Sequence, residues 1–278
     1  MKYLLVILIA LIISVSSGMD GSTSSTVRQH SGPTATDDWV LTVLNTFAPS
    51  FTTNIRGLDF NEPNTIYFIS GAEYNIFACS ADDGSYETEY GLDPSNGSPY
   101  GIADSGNYAN VNDFGDTVVY YFDGSNWYNY VNPASSDGRG MDYDGSYIWE
   151  NYTSSGTFGV YAFDDDGTLH HSFILSEIPT QLSGLAVFDP GTGNTGIAVT
   201  TYNTHNIWLY DFDGSSMNYL GMVALPGGAN SSLGLCYSTT RGTFFWSYTL
   251  GGTYTISELE ITESALDHST WGNIKTCF

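Results

Sequence analysis

Two arginines share one short motif in a chain that is otherwise poor in basic residues. Arg56 and Arg139 each stand before Gly, a hydrophobic residue, Asp and an aromatic residue. The chain has six basic and thirty acidic residues and a net charge of −24. A guanidinium group offers a planar fork of N–H donors that suits a carboxylate or a sulfate. The motif therefore predicts either an anion-binding pair or two arginines that pair with nearby aspartates and tie the fold together.

Aromatic and amide side chains form a second group that could bind a ligand. The sequence contains 21 Tyr, 15 Phe and 6 Trp. A flat ring stacks on the C–H face of a sugar, and an Asn side chain hydrogen-bonds the sugar hydroxyl groups. The candidates that this chemistry suggests are Tyr74, Tyr100, Asn112, Asn151, Tyr152, Asn203, His205 and Tyr248. The competing interpretation is that tyrosine is simply common in exported β proteins.

Carboxylates are the third group. Asp59 and Asp142 hold equal positions in the two arginine motifs, and Glu150 follows the second of them. Glycoside hydrolysis uses a pair of carboxylates, but the sequence does not set their separation. Asp59 and Asp142 are candidate ligand-binding residues, and a structural hydrogen-bonding role is the alternative. No catalytic residue is predicted, because the nucleophile-elbow, P-loop and His-Glu-x-x-His motifs are absent from the sequence.

The acidic turns could suggest calcium. Asp142-Tyr-Asp144-Gly and Asp211-Phe-Asp213-Gly each alternate two carboxylates. Calcium loops need more alternating carboxylates and a Glu further along. Asp-Gly pairs are instead typical of tight hairpins, since glycine reaches positive φ readily. The sequence therefore predicts hairpin turns here, with no metal and no cofactor.

A repeat marked by prolines indicates the elements that must position these residues. Five prolines each follow a β-rich run and precede a polar loop and then Gly with a hydrophobic residue. They are Pro49, Pro94, Pro133, Pro179 and Pro226, at intervals of 45, 39, 46 and 47 residues. A period of roughly 40 to 50 residues with short strands indicates four-stranded propeller blades. The sequence predicts an all-β fold, a single β-propeller of five four-stranded blades; a β-sandwich or two smaller sheets are the alternatives.

The two ends of the repeat region complement each other. The fifth repeat lacks a fourth strand, while the run Trp39 to Phe47 leads into Pro49 as the other fourth strands lead into their prolines. We expect this run to pair with the strand near Thr253 to Ile261 and to close the ring, which removes open sheet edges. The predicted division is a signal peptide over 1–18, a flexible leader over 19–37, the propeller over 38–261, and a tail over 262–278 that begins with a short helical turn.

A propeller commonly binds ligands where the chain enters the first strands of the blades. Arg56, Tyr100 and Arg139 are expected at these entries in blades 1, 2 and 3. The turns between second and third strands lie at the same face and bring most of the other candidates there, together with Phe114 and Tyr202. The sequence therefore predicts one binding site at the mouth of the central channel.

The third repeat carries a resemblance to a known group. It reads Arg139-Gly-Met-Asp-Tyr-Asp-Gly-Ser-Tyr-Ile-Trp149, and then Val160-Tyr-Ala-Phe-Asp-Asp-Asp-Gly167. This resembles the generic blade of secreted bacterial propellers in the NHL-repeat and streptogramin-lyase-like group, over about residues 39–261. The resemblance implies the propeller fold. The group includes lyases, lactonases, lectins and protein-binding scaffolds, so it implies no single activity. Its lyases are alike around active-site histidines, whereas only His205 here falls in a predicted ligand-side loop.

The N-terminal residues and the charge indicate a location. One lysine precedes an apolar run from Leu4 to Val15, and the small residues Ser16-Ser17-Gly18 follow. This is the anatomy of a secretory signal peptide, with an uncleaved anchor as the alternative. We expect an extracellular protein without membrane insertion after cleavage. The acidity excludes nucleic acid as a partner, because phosphate contacts need clustered Lys and Arg.

Three functions remain open at this point. The first is a secreted, non-catalytic propeller that binds a glycan or another extracellular protein at the channel mouth. The second is a secreted enzyme, glycan-active or lyase-type, with its site at the same mouth. The third is a structural protein of the cell envelope or matrix. Clustered carboxylates at the mouth would favour the enzyme, and an aromatic mouth poor in carboxylates would favour the binding protein.

Overall fold

The chain folds into five four-stranded antiparallel sheets. A computed structural model describes residues 39–106, 108–134 and 137–263. The strands of blade 1 are β2 Leu58–Asn61, β3 Thr65–Ser70, β4 Asn75–Ser80 and β5 Tyr86–Gly91. The strands of blade 2 are β6 Pro99–Asp104, β7 Ala109–Asp113, β8 Val118–Phe122 and β9 Trp127–Val131. Those of blade 3 are β10 Gly138–Tyr143, β11 Ile148–Ser154, β12 Thr157–Phe163 and β13 Leu169–Ile174.

The last two blades complete the ring. The strands of blade 4 are β14 Leu182–Phe188, β15 Thr195–Thr201, β16 Asn206–Phe212 and β17 Met217–Ala224. Those of blade 5 are β18 Ser231–Ser238, β19 Thr243–Leu250, β20 Thr253–Glu263 and β1 Trp39–Phe47. The five-bladed all-β propeller that the sequence predicts is thus confirmed. A single blade fills the stretch between Gly184 and Gly234.

The N-terminal strand β1 closes the propeller as predicted. It pairs antiparallel with β20, with Trp39 opposite Glu263 and Phe47 opposite Ile256. The Asn45 amide donates to the Asp82 carbonyl of blade 1 at 2.7 Å. The final blade is therefore built from both ends of the described chain, and this pairing leaves no blade without its fourth strand.

The repeated glycine marks the place where the first strands meet. These glycines are Gly57, Gly101, Gly140, Gly184 and Gly234. A Cβ added at any of them would lie 2.0 to 2.6 Å from a backbone atom of the next blade, with Gly234 facing blade 1. Only glycine permits so close an approach of two backbones. The ring of contacts is closed, so the five first strands surround the central axis.

Large side chains fill the spaces between blades. Trp149 and Val160 of blade 3 pack in one cluster with Leu185 and Tyr210 of blade 4. The glycines of both predicted Asp-Gly turns have positive φ: Gly145, at 91°, lies between the first and second strands of blade 3, and Gly214, at 92°, lies between the third and fourth strands of blade 4. Each face of a blade thus carries apolar side chains toward its neighbour, which is how stacked sheets bury a core.

Some predictions concern residues at the ends of the described ranges or outside them. Thr262 and Glu263 belong to β20 rather than to a helical turn, because they pair with Val40 and Trp39. The expected signal peptide, leader and remaining tail lie outside the described residues. Cys79 and Cys236 are buried free thiols, and Cys277 also lies outside. The described residues include no helix with the length and apolar character that a membrane crossing requires.

Candidate functional site

The channel mouth gathers two guanidinium groups and three aromatic rings. We call this group the mouth cluster: Arg56, Tyr100, Phe114, Arg139 and Tyr202. The Arg139 Cζ lies 4.3 Å from the ring centroid of Phe114, 5.3 Å from that of Tyr100 and 5.9 Å from that of Tyr202. Blade 3 supplies the arginine, while blades 2 and 4 supply the rings. Each contact is within cation–π range.

Tyr100 lies between the two arginines that the sequence paired. The Arg56 Cζ is 5.9 Å from the centroid of its ring, on the side of blade 1. The Arg56 Nη1 donates to the Pro99 carbonyl at 2.6 Å. The expectation that the two arginines stand two blades apart around one opening therefore agrees with their placement, and the aromatic residue of the blade between them lies against both.

Two polar atoms of the mouth cluster are buried without a hydrogen-bond partner in the described structure. They are the Nε of Arg139, whose residue is 8% exposed, and the hydroxyl of Tyr100. Burial raises the pKa of Tyr100, although the charges of both arginines and an interaction of the Arg139 side chain with the hydroxyl oxygen oppose the shift, so the hydroxyl keeps its proton and can donate it. Buried polar groups in proteins nearly always have partners. The mouth therefore presents unused donors at adjacent positions.

The arginines of the mouth are not neutralised by carboxylates. The ion pairs among the described residues involve Arg241, with Asp82 and Glu258, and His170, with Asp164. Arg56 and Arg139 form none. The alternative in which each arginine pairs with an aspartate between blades does not describe this arrangement. Two free positive charges in a chain of net charge −24 make the mouth a local positive site.

Asn112 and Asn151 lie deeper than the sequence suggested. Both are fully buried inside second strands rather than in turns. Asn112 accepts from the Gly101 N–H at 2.7 Å and donates to the Arg139 carbonyl at 2.9 Å. Asn151 accepts from the Gly140 N–H at 3.2 Å and donates to a carbonyl of blade 4 at 3.0 Å. Each side chain thus links neighbouring blades, and Asn112 fixes the backbone of Arg139.

The remaining aromatic candidates divide between the interior and the surface. Tyr152 stacks on Tyr161 with centroids 4.4 Å apart, and Tyr248 stacks on Trp246 at 3.9 Å. Both tyrosines are buried within blades, so their faces are already covered. Tyr74 is exposed in the turn of blade 1.

Two candidates share the turn of blade 4 with Tyr202. Asn203 is exposed. His205 has a positive φ of 50°, and its Nδ1 is buried without a partner in the described structure. Within this turn, Tyr202 is the residue whose ring contacts Arg139.

Asp59 and Asp142 lie at the opposite end of the channel. Each is three residues beyond its arginine, which is about 10 Å along an extended strand. The Asp59 carboxylate accepts from the Asp104 N–H of blade 2, and Asp142 accepts from the Val187 N–H of blade 4 at 2.7 Å. Burial, followed by the charge of Asp104, raises the pKa of Asp59 to about 7. These contacts support a structural role for both aspartates. The residues predicted to form one binding site therefore lie at two opposite ends of the channel.

Glu150, the third carboxylate noted in the sequence but not one of the predicted ligand-binding residues, is fully buried. It precedes Asn151 in β11, where Val111, Val199 and Trp246 stand before the equivalent residues of blades 2, 4 and 5. Its Oε1 accepts from the Asn112 and Asn132 amides, the latter at 3.1 Å, and its Oε2 has no partner in the described structure. Burial raises the pKa of Glu150 to about 7. An acidic residue at a strand position that is apolar in the other blades is the sequence signal that it is buried.

Glu150 should give the protein a distinct pH dependence. A carboxyl group whose pKa is raised on folding contributes stability that is present below its unfolded value, near 4.5, and lost as the pH rises through 7. The loss amounts to about 3 kcal/mol above pH 7. Glu150→Gln keeps the Oε1 acceptor and cannot ionise. We expect the wild type to lose this stability relative to Glu150→Gln between pH 4.5 and 8 in denaturant titrations. Parallel curves for the two proteins would contradict this prediction.

The prediction that the protein binds no metal stays a prediction. No group of three or more His, Cys, Asp or Glu side chains is arranged to hold a metal ion within the three described ranges. The Asp side chains of the turns accept instead from backbone N–H groups, as Asp213 does from Ser215 and Ser216 at 2.9 and 2.8 Å.

Comparison with known proteins supports the fold. No protein-family model and no curated protein sequence matches the chain. The structure is similar to glutaminyl cyclase of Myxococcus xanthus, with 14% identity, a TM-score of 0.60, and coverage of 81% of this chain and 98% of that one. It is similar to the PQQ-bound aldose sugar dehydrogenase of Streptomyces coelicolor, with 14% identity, a TM-score of 0.54, and coverage of 83% and 100%.

A third solved structure is virginiamycin B lyase of Staphylococcus aureus, at 14% identity and a TM-score of 0.47, with coverage of 81% of this chain and 73% of that one. At such identities a structural likeness shows the fold alone. The propeller fold that the blade resemblance implied is therefore shared with the glutaminyl cyclase and the sugar dehydrogenase. The activities of these proteins are not assigned to this chain.

Proposed function

We propose that this chain is a secreted, non-catalytic binding propeller that recognises an acidic glycan at its channel mouth. The observation that carries the proposal is the Arg139 guanidinium, which is buried among three aromatic rings without a carboxylate partner in the described structure. A carboxylate or sulfate on a sugar would supply the missing charge, and the rings would contact its C–H faces.

The distribution of charge supports an anionic ligand. The mouth cluster contains two guanidinium groups and no carboxylate, whereas the chain as a whole carries −24. A positive focus within an acidic protein attracts one correctly placed anion and leaves other anions repelled by the surroundings. Asp59 and Asp142 lie at the other end of the first strands, and Glu150 is fully buried with its Oε1 held by two amides, so binding is favoured over hydrolysis at the mouth.

The chain offers a matched control for testing the arginines. Arg139→Gln removes the unpaired charge at the mouth, while Arg241→Gln removes an equal charge that already pairs with Asp82 and Glu258. We expect Arg139→Gln to weaken binding of a uronate-containing oligosaccharide about 10- to 100-fold, the range of a charged hydrogen bond. Arg241→Gln should bind like the wild type, and the wild-type affinity should fall as salt rises.

Affinity and stability must be measured together on these variants. Calorimetric titration gives the affinity for the acidic oligosaccharide and for a neutral one of equal length, and thermal unfolding gives Tm. Equal affinity for both sugars would contradict an anion site. Loss of Tm in Arg139→Gln with unchanged affinity would assign the arginine to the fold instead.

A further inference from the structure

A cavity opens between blades 1 and 2, away from the mouth cluster. Its volume is about 370 Å³, and it lies at the exit end of the first strands. The aromatic residues that line it are Tyr67, Tyr90, Tyr108 and Phe122, and one carboxylate, Asp104, lines it as well. Small-molecule sites have this size and this mixture of apolar walls with few polar groups.

The equivalent cleft between blades 3 and 4 is filled, which shows why this one is open. Tyr67 pairs with Asp59 across blade 1, and Trp149 pairs with Asp142 across blade 3, so the two residues are equivalent. The Trp149 indole is fully buried and meets the Phe212 ring edge-on at 5.0 Å. In the cleft of blades 1 and 2, the smaller Tyr67 faces Phe122 across the cavity.

The charge of the cavity selects its occupant. No described lining residue is basic. The Asp104 Oδ1 accepts from the Gly106 N–H at 2.8 Å, which fixes the carboxylate at the edge of the cavity. Its charge adds to burial in raising the pKa of both Asp59 and Tyr67, so the potential at this position is negative. Aromatic faces and a carboxylate together favour a cation with apolar substituents, because the rings attract positive charge through their quadrupoles.

We propose that the cleft between blades 1 and 2 binds a substituted ammonium group, held between the rings of Tyr67, Tyr90 and Tyr108 with Asp104 as its counter-charge. The ligand class is a small organic amine with methyl or methylene groups on nitrogen. The site is independent of the mouth cluster and lies at the other end of the first strands.

A pair of isosteric probes tests the charge directly. Choline and 3,3-dimethylbutan-1-ol have nearly the same shape, but only choline is charged. Titration of the full propeller should show choline binding at least about tenfold more tightly than the neutral alcohol. Equal binding of the two probes, binding of neither, or binding of a neutral hexose in place of choline would overturn the proposal.

Two independent variants test the location of the site, so that the test still holds if one of them does not fold. Tyr67→Trp should fill the cleft as Trp149 does and abolish choline binding with no fall in Tm. Asp104→Asn should weaken choline binding about tenfold. Asp213→Asn removes one charge from a turn in blade 4, and it should bind choline like the wild type, as should Arg139→Gln. Choline binding that survives in both Tyr67→Trp and Asp104→Asn would overturn the proposal.

Discussion

A chain that begins at Ala48, and so lacks β1, is expected to aggregate where a chain that begins at Trp39 folds. Strand β1 is the fourth strand of blade 5, and its loss exposes the long strand β20 along its open edge. An exposed edge of this kind pairs with other chains. Removal of β1 also takes Phe47 out of the core that it shares with blade 1. Light scattering and size-exclusion chromatography of the two chains measure this outcome.

The missing strand can also be supplied separately. A synthetic peptide with the sequence of Trp39–Phe47 should pair with β20 by strand addition and restore the monomer, whereas a scrambled peptide should not. If the chain from Ala48 melts like the longer chain, β1 does not close the ring.

Replacement of Gly101 by alanine should destabilise the propeller strongly for so small a change. The new Cβ would lie 2.0 Å from the Arg139 carbonyl oxygen and 2.9 Å from the Met141 Cγ. The first of these neighbours is backbone held by Asn112, so it cannot move freely. Overpacking of this kind costs about 1–3 kcal/mol, which lowers Tm by about 3–10 °C in a domain of this size.

Gly91 provides the control for Gly101. An added Cβ at Gly91 has no atom within 4 Å, and its φ is not in the positive range. Gly91→Ala should therefore keep the wild-type Tm within about 1 °C. Equal Tm values for Gly101→Ala and Gly91→Ala would show that the first strands do not meet at the glycine ring. Because Gly101 faces the backbone of Arg139, the first variant should also weaken ligand binding at the mouth.

The propeller could be predicted because its signals are local and repeated. A proline, a polar loop and a glycine recur once per blade, and each signal has a backbone cause that sequence shows directly. The closure by β1 could be predicted because the fifth repeat lacks its fourth strand and the N-terminal run has the character of one. The shared placement of Arg56 and Arg139 followed from the same repeat, because equivalent positions in a ring face one opening.

The details of the mouth depended on which face of a strand each side chain occupies. Asn112 and Asn151 stand within second strands, which run on to Asp113 and Ser154, and there they hydrogen-bond between blades. The sequence placed both residues in the turns that follow, because it does not show where a strand ends. Tyr152 and Tyr248 are covered by rings of their own blades, which no local pattern reveals. The three rings around Arg139 come from two other blades, so only the closed ring brings them together.

For Asp59 and Asp142, by contrast, the position in the channel could be predicted from the sequence. Three residues of extended chain carry each aspartate about 10 Å from its arginine, to the other end of the first strand. Their carboxylates then accept N–H groups of the next blade. A motif that is contiguous in sequence therefore serves two separate ends of the channel.

The most direct test of the mouth as an anion site is a crystal structure of the protein with a bound uronate oligosaccharide. We expect the sugar carboxylate within hydrogen-bonding distance of the Arg139 guanidinium and the Tyr100 hydroxyl, with the sugar ring against Phe114 or Tyr202. These are the donors that lack partners and the rings that surround them. A carboxylate bound at any other place, with the mouth cluster unchanged and empty, would contradict this prediction.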